Sequence, residues 1–347
     1  MTFFPAGTYL VTSTIRIPPG SRLIGEAWSA ISAVGAYFSD ASNPRPMVQV
    51  GEPGEVGVAQ ISDMLFTVAD ILPGCILVEV NMASSQPGDV GFWNAHFRVG
   101  GAAGSVVETG CTNVDTPCKA AFLLLHLTPT TSAYIEDMWG WTADHDLDGE
   151  NSQTIATGRG ALVASQSAVW LVGTAFEHNT LYQYNLVNAA NVYIGMQQSE
   201  TPYWQGVGSP ALAPAPWTPD ARYDDPTFSN CDVDDANCRM AWYQRISSGH
   251  DLYVYGSGFW TFFNNLGACL GVSGTCQTNA AELVNGPDRL FWWNLNTRGV
   301  LNLVIDEGQV LATMNNNLGS WGAVVAAVLT HSSLALGKLL RRVQWKG

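Results

Sequence analysis

The sequence predicts an all-β protein, and three observations carry that expectation. Short apolar runs of strand length recur along the chain, each closed by Gly, Asn or Asp. Helical periodicity is rare beside them. Glycine is plentiful (35 residues) and so are large rings, with 13 Trp, 11 Tyr and 13 Phe. That mixture suits a turn-rich protein that packs most of its rings in a core and shows some to a ligand.

The runs lie, in order, at residues 9–17, 22–24, 61–68, 121–127, 133–141, 169–176, 191–196, 251–260, 289–294 and 300–305. Val169-Trp-Leu-Val-Gly173 aligns over Asn191-Val-Tyr-Ile-Gly195 at an offset of 22, and residues 135–140 and 252–256 are loosely similar. A strand at each copy of such a period fits one coil of a parallel solenoid, with coils stacked at about 4.8 Å. Other intervals are irregular, so pattern alone leaves solenoid and sandwich open. Residues 205–225 hold four prolines before Tyr223, which excludes a paired central strand. With the loop from Cys231 to Cys238 they form a long excursion. Such a loop either carries a binding site on a rigid scaffold or covers a sheet face.

The 347 residues suffice for one elongated domain or two ordinary ones. With 47% hydrophobic and 13% charged residues the chain is not a disordered polar one. A net charge of −14 repels phosphate backbones, so no nucleic-acid partner is expected. A neutral polysaccharide meets no such penalty. No apolar run approaches the ~18 residues of a spanning helix, and no membrane partner is expected.

Six of the seven cysteines form pairs with six residues between them: Cys111 and Cys118, Cys231 and Cys238, Cys269 and Cys276. Three small polar loops of this kind read as disulfides made in an oxidising compartment. The spacing is too long for a zinc site and no histidines cluster nearby. Cys75, within Cys75-Ile-Leu-Val78, is left over as a buried free thiol. Asp144-His-Asp146-Leu-Asp148-Gly149 imitates the start of a calcium loop, but Ile155 stands where the closing Glu belongs. It is read as an acidic turn, and neither metal nor cofactor is expected. The first residues show no signal-peptide pattern, so the chain is expected to be a piece of a longer secreted precursor. Residues 334–347, with Lys338, Arg341, Arg342 and Lys346, read as a basic tail outside a fold that spans 1–333, with room for a short helix.

Nucleophile-elbow, P-loop and His-Glu-x-x-His motifs are absent. Two glutamates stand out by their company. Glu177 lies in Phe176-Glu-His178-Asn-Thr-Leu-Tyr-Gln-Tyr184, and Glu200 in Gln197-Gln198-Ser-Glu200-Thr-Pro-Tyr203-Trp204. Each ends a strand among amides and rings. Sugar sites need that combination: rings for apolar pyranose faces, amides for hydroxyls, a carboxyl group for the proton. The two are 23 residues apart, about one coil, so they are expected on neighbouring coils with His178 beside Glu200. A second carboxylate raises the pKa of the first, as a general acid requires. A gap of about 5 Å is that of a retaining pair, whereas inversion needs about 6.5–9.5 Å. The residues therefore leave open a retaining couple or an acid with its pKa tuner.

At these segments the sequence resembles glycoside hydrolase family 55, the exo-β-1,3-glucanases. The resemblance rests on Phe4-Pro-Ala-Gly-Thr-Tyr-Leu-Val11, Trp139-Gly-Trp141-Thr-Ala-Asp-His-Asp-Leu-Asp148 and the two glutamate motifs, and spans about residues 1–333. It implies a right-handed parallel β-helix, a pectate-lyase-like solenoid with long loop excursions, equivalent to the second of two tandem β-helices. It further implies secretion and inverting hydrolysis of β-1,3-glucan from the non-reducing end, in a cleft shared with a missing N-terminal β-helix. By the resemblance Glu200 is the general acid and Glu177 an assisting glutamate. Tyr203, Trp141 and Trp139 stack on glucan, and His178, Gln198 and Trp204 join them as substrate-binding candidates. Part of the family's water-holding residues belong to the first β-helix and have no counterpart here. A non-catalytic glucan-binding β-helix and a purely structural one are the competing readings.

Overall fold

The computed structural model describes residues 1–102, 105–112, 114–145, 153–261, 274–319 and 321–331, the side chain of Trp28 excepted. Strands dominate, and the chain visits two sheets in alternation. The first runs in the order Thr2–Phe4, Ser21–Ala33, Ala59–Val68, Val90–Trp93, Ala133–Ala143, Val169–Glu177, Ala190–Glu200, His250–Trp260, Asp288–Arg298, Ala323–Thr330, with Thr8–Val11 and His96–Gly100 alongside. The second runs from Ile15–Ile17 through Arg45–Val50, Leu72–Val80, Ala121–Leu127, Arg159–Val163, Tyr182–Val187, Trp242–Ser247, Gln277–Val284 and Val300–Asp306 to Gln309–Thr313. Neighbours are parallel except at the last pair of each sheet, where an antiparallel strand ends the stack.

Alternating apolar residues explain the pairing. Leu171, Ile194, Val254 and Trp292 lie opposite one another on four successive strands. They meet Leu125, Ala161, Tyr184, Ile246, Leu283 and Val304 of the second sheet in one core. Shifting any strand by one residue would turn its apolar set outward.

Parallel sheets need both faces covered. The outer face of the second sheet carries Phe122, Leu162, Tyr182 and Trp242, and the Pro-rich excursion lays Ala213, Trp217 and Phe228 on it. The Trp217 indole N–H donates to the Ala156 carbonyl at 2.9 Å. Arg159, wholly buried, donates from Nε to Asp225 Oδ1 at 2.7 Å and also from Nη2 to Oδ2. The excursion thus covers a sheet face, one of the two roles left open by its sequence. Replacing Asp225 by alanine leaves an unpaired buried guanidinium. We expect it to destabilise the fold by about 3–5 kcal/mol in urea titrations, with the excursion becoming susceptible to protease.

A second device sets which side chains face outward. Asp63, Asn94, Asp137, Gly173, Met196, Gly256 and Asn294 have φ between 48° and 84°. The pairs flanking them place these left-handed residues at one level across the first sheet, six on strands and Asn94 in the break between Val90–Trp93 and His96–Gly100. Asn, Asp and Gly tolerate that conformation best. Two adjacent residues face out there, as at Val172–Gly173 and Gly195–Met196, and the inward–outward alternation is reset beyond them.

Disulfides close Cys111–Cys118 and Cys231–Cys238. Cys269 lies outside the described residues, as do Asp146, Asp148 and residues 332–347. Cys75 is free and fully buried, and burial pushes its thiol far up.

Candidate active site

The strand segments beyond the left-handed level carry the candidate residues. Trp141 lies opposite Arg98 on one side and Glu177 on the other. Ala175 lies opposite Gln198, so two residues further on Glu177 adjoins Glu200, which in turn lies opposite Trp260. The register corrects the sequence alignment. Val169 pairs with Val192 and Val172 with Gly195, an offset of 23 rather than 22. Gly173 faces Met196 at the left-handed level, not Gly195. The corrected offset equals the spacing of the two glutamates and puts them side by side.

Glu200 is held from three directions. Tyr203 donates its hydroxyl to Oε2 at 3.0 Å, His178 Nε2 lies 3.4 Å from the same oxygen, and Gln198 donates to Oε1 at 3.4 Å. Its side chain is 15% exposed, so one edge stays open to solvent. Glu177 accepts the Trp139 indole N–H at 2.8 Å. Burial, joined by the charge of Glu200, raises the Glu177 pKa against the opposing pull of His178, Trp139 and Gln198.

Behind Glu200 is a buried ion pair that the sequence did not reveal. His178 Nδ1 lies 3.0 Å from Asp144 Oδ1, His145 Nδ1 shares that oxygen at 3.1 Å, and the Tyr203 backbone N–H donates to Oδ2 at 3.1 Å. Burial alone would favour neutral groups. The mutual charge and these hydrogen bonds outweigh it, holding Asp144 down at about 2 and His178 up at about 10. Tyr203 is raised chiefly by burial and then by Glu200. His178 itself has φ of 62° and donates its backbone N–H to the Glu200 carbonyl at 2.9 Å. Asn179 and Gln183 brace the turn after Glu177: Gln183 Oε1 accepts both Asn179 N–H and Nδ2–H, and Gln183 Nε2 donates to the Asn179 carbonyl.

The rings surround this centre. Trp139 stacks on Trp141 with centroids 4.7 Å apart and planes 10° apart. Trp139 is 40% exposed, whereas Trp141 is buried under the Arg98 guanidinium. Tyr203, 37% exposed, lies 4.4 Å from the His178 ring and stacks on His145 at 5.5 Å. Trp204 turns away, donating its indole N–H to the Ile155 carbonyl at 2.9 Å. The structure thus gathers Glu177, Glu200, Trp139, Trp141, His178, Gln198 and Tyr203. It adds Asp144 and His145, which the sequence showed only as part of the motif from Trp139 to Asp148, and Arg98, which no motif marked.

No protein-family model matches the chain. A curated relative from Arthroderma benhamiae, named a probable glucan endo-1,3-beta-glucosidase, is 41% identical over 94% of this chain and 38% of its own length. The glucan endo-1,3-beta-glucosidase BGN13.1 of Trichoderma harzianum is 36% identical over 92% of this chain and 43% of its own length. The glucan 1,3-beta-glucosidase of Cochliobolus carbonum is 34% identical over 93% and 41% respectively. Among solved structures, sacteLam55A from Streptomyces sp. SirexAA-E superposes with a TM-score of 0.53 at 18% identity, covering 85% of this chain and 44% of that one. The chain spans about two fifths of the length of these curated relatives. Along nearly its whole extent the chain is thus similar in sequence to fungal glucan 1,3-beta-glucosidases, and it shares its fold with sacteLam55A.

Proposed function

We propose that this chain carries the acid-bearing face of a secreted β-1,3-glucan hydrolase. The observation that carries the reading is the open edge of Glu200 beside Glu177, Trp139 and Tyr203. The alternation of parallel strands between two sheets is taken as the coils of a right-handed parallel β-helix covering residues 1–333. Glu200 protonates the leaving glycosidic oxygen, while Trp139 and Tyr203 offer ring surface to the sugars and Gln198 a hydroxyl partner. Glu177, tied to Trp139 and raised by burial, tunes the acid and does not attack. Water then enters from the opposite face of the sugar and the anomeric carbon inverts. Part of the cleft that holds that water belongs to a β-helix N-terminal to this one in the parent protein. The disulfides Cys111–Cys118 and Cys231–Cys238 fit an oxidising compartment.

Incubation with laminarin, followed by proton NMR, tests the reading. Release of glucose alone as the first product supports attack from the chain end, and its appearance as the α-anomer supports inversion. A ladder of oligosaccharides would instead mark endo attack, the mode in the names of two relatives. Initial β-glucose would make Glu177 a nucleophile. Release only after joining to the N-terminal portion of the parent would support the shared cleft.

A further inference from the structure

A cavity of about 230 Å³ lies on the same outward face, beyond Trp139 from the carboxylates, lined by Ala27, Asp63, Met64, Leu65, Asn94 and His96. Its position follows from register. Gln198 adjoins Ala175, Ala175 adjoins Trp139, and the Gly140–Phe97 pair sets Trp139 beside His96. His96 in turn lies opposite Leu65. Three strand spacings separate Gln198 from His96, about 14 Å along the face.

The cavity wall is ordered by one chain of hydrogen bonds that starts at the exposed tryptophan. The Trp139 backbone N–H donates to His96 Nδ1 at 3.1 Å. That leaves Nε2 as the protonated nitrogen of a neutral ring, donating to Asn94 Oδ1 at 2.7 Å. Asn94 Nδ2 donates to Asp63 Oδ1 at 2.7 Å, and the Ser62 hydroxyl donates to Asp63 Oδ2 at 2.7 Å. Burial lowers the His96 pKa against the opposing charges of Asp137 and Asp63, consistent with a neutral ring. Asn94 has a second amide hydrogen and Asp63 further lone pairs. Ala27, Met64 and Leu65 supply the apolar surface. A pocket with an apolar wall and a few oriented polar groups is the usual form of a small-molecule site. The left-handed backbone at Asp63 and Asn94 calls for Asp, Asn or Gly, but it does not require their side chains to bond to each other and to His96 around a cavity.

We propose that this cavity is a distal subsite for the same glucan chain whose scissile bond sits at Glu200, and that it makes binding favour longer chains. The inference rests on the reading of Glu200 given above, because the glucan must already lie along this face. Its occupant is a neutral β-1,3-linked oligosaccharide long enough to reach past Trp139.

The test is binding, so that it does not depend on turnover. Laminaribiose and laminarihexaose are titrated calorimetrically into Glu200→Gln protein, and into the same protein carrying Asp63→Gly and Asn94→Gly. Glycine keeps the left-handed backbone and removes only the side chains. Loss of the hydrogen bonds to Asn94 and to the Asp63 carboxylate should weaken laminarihexaose by about 10-fold or more and leave laminaribiose unchanged. Equal weakening of both sugars, unchanged affinity for laminarihexaose, or no binding of either would overturn the subsite. Glucose release by the unsubstituted chain reads the hydrolytic assignment separately.

Discussion

Replacing Glu200 by glutamine is expected to lower kcat on laminarin by about 10²–10⁴-fold, the range general acid catalysis supplies, with little change in KM. Glutamine matches the shape of glutamate. Its carbonyl oxygen can still accept from Tyr203, which contacts Glu200 Oε2 at 3.0 Å, while its amide nitrogen takes the place of Oε1, the oxygen that Gln198 reaches only at 3.4 Å. What it lacks is a transferable proton. Because the side chain is partly exposed and ends its strand, the thermal midpoint should stay within a few degrees. Steady-state kinetics and laminarin affinity together decide the matter. Unchanged kcat removes Glu200 from the chemistry. Preserved binding by an unsubstituted chain that never releases sugar, even when joined to the N-terminal portion of its parent, would favour a glucan-binding module.

The second large effect is expected at Asp144. Asparagine keeps an acceptor for His178 Nδ1–H but loses the charge, and its amide can place a donor where Oδ2 accepted the Tyr203 backbone N–H. Breaking a buried ion pair in this way costs about 3–5 kcal/mol. The cost should depend on pH. His178 is raised from 6.5 to about 10, so its contribution is complete below pH 6.5 and fades as pH rises through 10. Asp144 is lowered from 3.8 to about 2, so its contribution is complete above pH 3.8 and fades as pH falls through 2. The charged groups facing His178 are Asp144, Glu177 and Glu200, with His145 sharing Asp144. Urea titrations should therefore show the largest gap between unsubstituted and Asp144→Asn protein near pH 5 and a smaller one above pH 10. His178→Gln should flatten the profile in the same way while keeping an N–H for Glu200. A gap that does not vary with pH would rule out the charged pair. Activity should fall with Asp144→Asn as well, since His178 and Tyr203 both reach Glu200.

The two motifs that hold Glu177 and Glu200 were legible because each gathers amides, rings and a carboxyl group within a few residues at a strand end. The outermost strand runs were legible because burial on one face forces alternation. Asp144 was not. Read in its own segment it is one acid among several in a turn, and its partners Tyr203 and His178 lie 59 and 34 residues away in sequence. The Pro-rich segment could be denied a central strand from its prolines. That it covers Phe122 and Trp242 through Trp217 and Phe228 depends on contacts no local pattern records.

By itself the sequence determined the all-β class, two of the short disulfide loops, the buried state of Cys75 and the pair of glutamates at the ends of their strands. The direction in which those glutamates point was decided only in three dimensions. Strict alternation from the inward Val169 and Leu171 would send Glu177 into the core, and from Val192 and Ile194 would do the same to Glu200. A left-handed residue at Gly173 and at Met196 shifts each strand by one place, so both carboxyl groups emerge on the outward face. One such residue conflicts with its neighbours' ladder. Stacked at the same level on successive strands, the shifts match and the hydrogen bonds between strands continue.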